Sequence, residues 1–283
     1  MENLIIIPVY NDWKSLNFLL TQIEKKITEK VKVFVINDAS TEKVSIKNKN
    51  FKKIKKIIVF TLKKNLGSQK AISVGLHYLK LHYLKKRKKN FLLAIMDGDG
   101  EDNPYELNKM FKLAKKNKEF IITSHRKKRN ERFVIQIGYK IHLIISLLLT
   151  WNWISFGNFT AFHSNNLNKI NLKHVWIAYS SAILKSCKIK KTYSSRKKRY
   201  FGNSKVNFIN LIEHSLRILS IFYSRIIFST FILIIIFHMV LKEINIITYL
   251  LVFFNLLIYS VKLKNQSRKS INYKNYLDSF KYF

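Results

Sequence analysis

The chain has a single cysteine, Cys187, in 283 residues. One thiol excludes an internal disulfide framework and a cysteine-based zinc site, and it suits a reducing, cytoplasmic setting. Prolines number two and glycines seven, which leaves no Pro/Gly-rich linker, and a 48% hydrophobic content excludes a disordered chain. Acid is scarce as well: 16 Asp and Glu stand against 52 Lys and Arg, for a formal net charge of +36. The basic excess lies in short runs, Lys52 to Lys56, Lys85 to Lys89, Arg126 to Arg132 and Arg196 to Arg199. Lys, Ile and Asn are all residues of AT-rich codons, so base composition accounts for part of that load. The field still favours anionic partners, a membrane surface or nucleotide and lipid phosphates. Nucleic acid is not expected, because zinc-finger spacing, an aromatic RNA-binding strand and a helix-turn-helix pattern are all missing. The eight histidines show no metal-ligand spacing. No charged-then-apolar leader with a small-residue cleavage site precedes the first apolar run, so no cleaved signal peptide is expected.

From residue 1 to about 125, short β-branched runs alternate with amphipathic stretches. The strands expected are Leu4 to Val9, Val31 to Ile36, Ile57 to Leu62, Phe91 to Ile95 and Phe120 to Thr123, and the helices are Trp13 to Lys26, Ser68 to Lys85 and Pro104 to Lys116. This order predicts an α/β fold with a mostly parallel sheet. Ligands of such sheets bind at the carboxyl ends of the strands. The polar residues at those ends are Tyr10, Asn11 and Asp12, then Asn37 and Asp38, Asn65, Asp97 and Asp99, and His125 and Arg126. They are expected to line one crevice.

Four of the sixteen acids fall within six positions, Asp97, Asp99, Glu101 and Asp102, directly after the run Phe91 to Ile95. A hard divalent cation such as Mg²⁺ or Mn²⁺ takes oxygen ligands, and one or two carboxylates are enough when a substrate phosphate supplies the rest. If the extended geometry of the strand continues through Asp97, then Asp97 and Asp99 leave on one face, and the intervening glycine admits a bulky ligand. An acidic turn capping the helix that begins near Pro104 is the other reading of the same residues.

The C-terminal part has a different character. Ile226 to Leu241 and Ile244 to Val261 carry no charge and are separated only by Lys242 and Glu243. Each is near the lower limit for spanning a bilayer. The pair reads as a hairpin that spans twice or dips into one leaflet, with a buried soluble helix pair as the alternative. Arg217 and Arg225 precede it and Lys262, Lys264, Arg268 and Lys269 follow it, so both flanks and the preceding domain are expected on the cytoplasmic side. A third apolar stretch, Ile141 to Phe156 with Trp151 and Trp153, reads either as a helix on the membrane surface or as a core helix. The expected organisation is a catalytic domain over 1–215, including a membrane-surface helix at about 133–156, a transmembrane hairpin over 216–264 and a basic cytoplasmic tail over 265–283.

Against this background the strand ends resemble family 2 glycosyltransferases. Pro8-Val9-Tyr10-Asn11-Asp12 resembles their Pro-x-Tyr-Asn-Glu opening, and Ile36-Asn37-Asp38-Ala39-Ser40 is similar to Val-Asp-Asp-Gly-Ser. Asp97-Gly98-Asp99-Gly100-Glu101-Asp102-Asn103-Pro104 is similar to the Asp-Ala-Asp-Leu-Gln-Asp-Pro-Pro of the polyprenyl-phosphate, dolichol-phosphate mannose synthase-like branch. Phe156-Gly157-Asn158-Phe159 resembles that branch's Gly-Asp-Phe segment, and Arg199 to Lys205 resembles its Arg-x-x-Gly-x-Ser-Lys. The matches run in order over residues 4 to 205.

The resemblance implies a GT-A fold, an inverting transfer of sugar from a UDP- or GDP-sugar to polyprenyl (undecaprenyl) phosphate at the cytoplasmic face of the inner membrane, and a C-terminal membrane hairpin. It implies that Pro8, Tyr10 and Asp12 border the nucleotide, that Asp38 holds the base, and that Asp97 and Gly98 contact the nucleoside and diphosphate. Asp99 and Glu101 would ligate Mg²⁺ or Mn²⁺, while Arg126, Arg199 and Lys205 would bind donor or acceptor phosphates, with Asn158 beside the acceptor. The chemistry suits these residue types: a departing nucleoside diphosphate needs cationic stabilisation, and planar guanidinium groups bind phosphate bidentately. Several positions depart from the pattern. Asp12 stands for Glu, Asn37 for Asp, Glu101 for Gln, and Asn158 for the Asp of Gly-Asp-Phe. Two other functions fit the same residues, transfer onto a glycan or lipopolysaccharide acceptor and an inactive membrane-anchored nucleotide-binding scaffold. A lone hairpin is also expected to pack with copies of itself in the bilayer.

Overall fold

The computed structural model describes residues 1–47, 50–86, 90–126, 133–195, 197–202, 208–241, 246–266 and 271–283. Its centre is β1 (Glu2–Val9), a run of apolar residues that pairs in parallel with β2 (Val31–Asn37) on one side and β4 (Phe91–Ile95) on the other. Leu4, Ile5, Ile6 and Ile7 are fully buried, as expected for a strand covered on both faces. The pleat divides these side chains into two cores. Leu4, Ile6, Phe34 and Ile36 pack with α2 (Ser68–Leu79), which runs on as one π-helical stretch over Lys80–Lys86. Ile5, Ile7, Val33 and Val35 pack with α1 (Trp13–Lys26) and α3 (Glu106–Lys116) on the other face.

With β3 (Ile54–Leu62), β5 (Phe120–Arg126), β6 (Phe156–His163), β7 (Lys188–Ser194) and β8 (Leu277–Tyr282), the sheet has eight strands in the order β7-β5-β6-β4-β1-β2-β3-β8. Strand β6 enters antiparallel between β4 and β5, and β8 lies antiparallel on β3. The α/β, mostly parallel sheet expected from the sequence is therefore present, and β6, β7 and β8 are additions to it. Strand β7, with the sequence KIKKTYS, carries the lysines of an exposed edge and lacks a clean apolar alternation.

Two expectations need correction. The apolar stretch Ile141 to Phe156 is not one helix: α4 (Phe133–Thr150) stops at Thr150, and Phe156 opens β6. Trp151 adopts the left-handed conformation with φ 60. The helix end is then closed by Ser146 Oγ donating to the Asn152 carbonyl and Asn152 Nδ2 donating to the Thr150 carbonyl. The second concerns the expected basic tail: residues 271–283 pack on the catalytic domain. After α10 (Tyr273–Tyr276), β8 pairs with β3, and Phe283 exchanges both backbone hydrogen bonds with Ile57. Aromatic contacts fix it there: Phe280 sits edge-on to Phe60 at 4.7 Å, and Tyr273 is buried with its hydroxyl 2.7 Å from His82 Nε2.

Between β6 and β8 the chain forms α5 (Leu172–Ile177), α6 (Tyr179–Ser186), α7 (Phe208–Ser220), α8 (Tyr223–Leu241) and α9 (Ile246–Asn265). Two helical segments among the described residues, Tyr223–Val240 and Ile246–Asn265, are long and apolar enough to cross a membrane. They bury only 17% and 6% of their apolar windows inside the protein, far less than core helices would. Ile226 and Ile258 join Leu149 of α4 and Leu219 of α7 in a small cluster that ties both helices to the domain.

Candidate active site at the carboxyl edge of the sheet

Strand β1 delivers Tyr10, Asn11 and Asp12 to this edge. Asn11 takes φ 46, and it is held by the loop after β2: its N–H donates to Ser40 Oγ at 2.9 Å and its Nδ2 to Thr41 Oγ1 at 2.9 Å. The loop after β4 is shaped by its own acids. The Asp97 N–H donates to Asp102 Oδ2 at 2.9 Å, and the Glu101 N–H donates to Asp99 Oδ1 at 3.0 Å, an Asx turn. Part of the acidic cluster is thus turn chemistry within the loop, but it does not cap the following helix, whose N-cap is Tyr105 with no side-chain cap, and the same turn leaves Asp99 Oδ2 beside Arg199. Gly98 packs so closely on Ile7, Val9 and the Pro8 carbonyl that a Cβ would lie 3.2 to 3.3 Å from them.

A second segment, residues 197–202, crosses this loop. The Lys197 N–H donates to the Glu101 carbonyl and the Tyr200 N–H to the Asp99 carbonyl, both at 3.0 Å. Gly100, at φ +86, lies beneath the Tyr200 ring, where any Cβ would overlap it. The ring also meets Phe18 edge-on at 4.6 Å. Burial, and then the charge of Asp99, push the Tyr200 phenol above its ordinary value. The crossing brings Arg199 between two carboxylates: Nη2 is 2.6 Å from Asp12 Oδ2 and Nη1 is 3.6 Å from Asp99 Oδ2. Residues 187 positions apart in sequence therefore meet at the crevice.

On the other side, Asn158 of β6 donates from Nδ2 to Asp97 Oδ1 at 2.9 Å and accepts from Gln69 Nε2 at 3.1 Å. Gln69 Oε1 accepts from the Tyr179 N–H at 2.6 Å, and the Tyr179 hydroxyl lies 2.6 Å from Thr160 Oγ1. An amide at 158 both donates and accepts, which a carboxylate cannot do, and this accounts for Asn158 where the resemblance has Asp. Gln69 and Tyr179 escape sequence reasoning, whereas Thr160 stands out in the sequence as the residue found where the family often has Arg. Gln69 has the one available signal, a polar residue in the first turn of a helix that follows a strand and a glycine.

Asp38 is nearly closed off, at 3% exposure. Its oxygens accept from the Leu66 and Gly67 N–H groups at 2.8 and 2.7 Å, so it fastens β2 to the turn that starts α2. Burial pushes its carboxyl up, against the two N–H bonds and Lys70, which pull it down. His125 is no base for the site. Burial, and secondarily Lys191, lower it to about 4, and its two ring nitrogens each lie 3.0 Å from a hydroxyl oxygen, of Thr123 and Ser155. Arg126 ends β5 at this edge, with its side chain outside the described part, and Lys205 also lies outside the described residues.

The described residues include no group of three or more His, Cys, Asp or Glu side chains placed to hold a metal. What the site offers is all-oxygen: Asp99 Oδ1 is fixed by its own turn and Oδ2 stands beside a guanidinium at 3.6 Å. That set fits a hard divalent ion that completes its coordination with a diphosphate.

The sequence profile described as "Glycosyl transferase family 2" matches residues 4–185. The chain belongs to glycosyl transferase family 2. A search of curated protein sequences returns no match. Among solved structures, glucosyl-3-phosphoglycerate synthase from Mycobacterium tuberculosis with Mn²⁺, UDP-glucose and phosphoglyceric acid is similar, with TM-score 0.52, 12% identity, and coverage of 80% of this chain and 79% of that one. The same enzyme with Mn²⁺, UDP and glucosyl-3-phosphoglycerate gives TM-score 0.51 at 12% identity, covering 79% of each chain. TarS 1-349 of S. aureus with UDP-GlcNAc gives 0.49 at 17% identity, covering 83% of this chain and 71% of that one. The fold of this family 2 glycosyltransferase is thus GT-A. The profile covers the segments at 97–104 and 156–159, ends before Arg199, and identifies the family without distinguishing the polyprenyl-phosphate branch within it.

Proposed function

We propose that this family 2 glycosyltransferase moves a sugar from a nucleotide sugar to a polyprenyl phosphate at the cytoplasmic face of a membrane, with α8 and α9 in the bilayer. One observation carries the acceptor. Two apolar helices, largely uncovered by protein, are docked through α4 and α7 on the domain that holds Asp99 and Arg199, and α4 joins β5 to β6 of that site. Exposed Ile141, Ile144, Leu148, Trp151 and Trp153 extend the apolar surface along α4 and the turn after it. A lipid acceptor lying along this surface brings its phosphate toward the crevice, whereas a soluble glycan has no use for it.

In this reading an acceptor phosphate oxygen attacks the anomeric carbon, the bond from that carbon to the diphosphate oxygen breaks, and the nucleoside diphosphate leaves with the electron pair. The acceptor is already anionic, so orientation replaces a strong general base. Arg199, held by Asp12 and Asp99 before substrate arrives, turns its planar donors to the diphosphate as charge develops there. Asn158 fixes Asp97 against the donor, while Pro8, Tyr10, Gly98 and the turn fastened by Asp38 border the nucleotide. Arg126 and Lys205 supply cations for phosphate. Asp99 and Glu101 would hold Mg²⁺ or Mn²⁺, which would offset the charge on the leaving diphosphate; the Mn²⁺ bound with UDP or UDP-glucose in the mycobacterial synthase structures supports a divalent ion, not the choice of residues.

The test is transfer of label from a panel of UDP- and GDP-sugars to undecaprenyl phosphate by membranes carrying the protein. One donor should give an acid-labile labelled lipid. The activity should vanish with chelator or Asp99→Ala and fall about 10²- to 10³-fold in Arg199→Ala, the scale of a lost transition-state donor. Arg199→Lys should recover little, because a point charge does not replace the fork. Nucleotide binding with no lipid-linked label from any donor would sink the acceptor assignment.

A further inference from the structure

We infer that the base of the α8–α9 hairpin is a binding site for the headgroup of an anionic phospholipid, built from Lys185, Arg225 and Lys262 and separate from the catalytic crevice. The inference rests on the membrane placement of α8 and α9 proposed above.

Three elements supply the three cations. Lys185, in the last turn of α6, donates from Nζ to the Ile221 carbonyl at 2.7 Å, beyond the end of α7. Arg225, in the first turn of α8, donates from Nη1 to the Thr150 carbonyl at 3.2 Å, and its guanidinium carbon lies 5.7 Å from the Trp151 ring centroid and 5.4 Å from that of Phe222. Lys262, near the end of α9, holds its ammonium 5.0 Å over Tyr223, which in turn stacks on Tyr259 at 5.4 Å. Each side chain is thus positioned by a carbonyl or an aromatic face and keeps donors to spare. Among the described residues no carboxylate forms an ion pair with any of the three.

Their mutual proximity is felt electrostatically. The Lys185 ammonium lies below its ordinary range through burial, then through Lys262 and Arg225. His174 is lowered to about 4 by burial, then by Lys185 and Lys262. The N–H groups of Arg225 and Ile226 are taken by the Phe222 carbonyl, and the positive end of the 19-residue helix α8 lies at the same place. A concentration of positive charge with no ion-paired carboxylate among the described residues, set where two apolar helices emerge and ringed by Trp151, Tyr223 and Tyr259, has the chemistry of a phospholipid headgroup site. The exposed Leu148, Phe228 and Tyr259 offer apolar surface for its acyl chains.

The cluster is not the reacting-phosphate site. The chain of hydrogen bonds from Asp97 reaches α6 at Tyr179, in its first turn. Lys185 lies six residues further along that helix, about 9 Å at 1.5 Å per residue. From there the chain enters β7 at Lys188, which pairs with Phe120 at the end of β5 opposite to His125 and the catalytic edge.

The experiment uses the full chain. Wild type, the site triple Lys185→Gln/Arg225→Gln/Lys262→Gln, and a control triple of equal charge on α3, Lys109→Gln/Lys112→Gln/Lys116→Gln, are reconstituted in phosphatidylcholine vesicles with and without phosphatidylglycerol. Lipid retained after extraction is read by native mass spectrometry. Wild type and control should keep phosphatidylglycerol, and the site triple should keep at least about tenfold less. Because Lys185 and Arg225 also bond to carbonyls, the single variant Lys262→Gln, which disturbs no hydrogen bond, should show an intermediate loss even if the triple fails to fold. Equal retention by the site variants and the control would overturn the inference in favour of diffuse charge. Displacement by inorganic phosphate would overturn the lipid specificity. Failure of wild type to enter neutral phosphatidylcholine vesicles, which does not depend on these cations, would overturn the membrane placement and this inference with it.

Discussion

At the scale of single residues the site is a set of mutual restraints among groups of opposite preference. Asn158 satisfies Asp97 and Gln69 at once, which an aspartate could not. Asn158→Asp should place two carboxylates in contact and raise the pKa of the pair. Stability contributed by a group with a raised folded-state pKa is present at low pH and lost as pH rises through that value. The variant's stability should therefore approach that of wild type near pH 4 and fall below it toward pH 8, by about 1–3 kcal/mol, as a thermal melt series would show. His125 works in the opposite sense. Its folded value is lowered to about 4, so its contribution is full above the ordinary histidine range and is lost as pH falls from about 6.5 toward 4. Wild type should lose stability across that window, and His125→Gln should flatten part of the slope. In the sequence, Asp12, Asp97, Asp99 and Arg199 are legible because each follows a strand or sits in a recognisable motif. The fastening role of Asp38 and the path through Gln69 and Tyr179 are not legible, because they depend on which backbone donors end up nearest.

At the scale of elements, the two long apolar helices differ from the rest in what covers them. A core helix hides its apolar side chains, whereas Phe231 and Phe253 are exposed at 59% and 65%. Lysine placed there should be tolerated in water but cost about 2.5–3.5 kcal/mol each at the centre of a bilayer. The double variant Phe231→Lys/Phe253→Lys should move the protein from the membrane fraction to the soluble or aggregated fraction, and unchanged membrane retention after an alkaline wash would contradict the hairpin. Element prediction from the sequence succeeds for β1 to β5 and α1 to α3, where apolar periodicity is strong. It misjudges the third apolar stretch, because a run of hydrophobic residues does not reveal that Trp151 turns left-handed and Phe156 starts a buried strand.

At the scale of the whole molecule, the hairpin is held at both ends. Helix α7 precedes it and packs on it through Leu219, and after it β8 closes the sheet beside β3, so both of its ends are tied to the domain. For the lipid acceptor proposed above, such a frame would bring the acceptor phosphate within bonding distance of a soluble donor. Deleting residues 277–283 should expose the edge of β3 and one face of Phe60, destabilise the protein by about 1–2 kcal/mol from lost aromatic burial, and promote aggregation. Light scattering during a thermal ramp would check this, and a melt identical to wild type would mean that β8 is dispensable.

The sequence by itself determined the class of fold, the catalytic edge, the acidic turn and the apolar pair, because each is a local pattern whose period or residue type is dictated by backbone geometry and solvent. The tertiary structure decided which distant groups share a space. Arg199 lies between Asp12 and Asp99, the last strand belongs to the first sheet, and Lys185, Arg225 and Lys262 converge from three helices. Those juxtapositions are set by the packing of whole elements, and no local spacing in the chain encodes them.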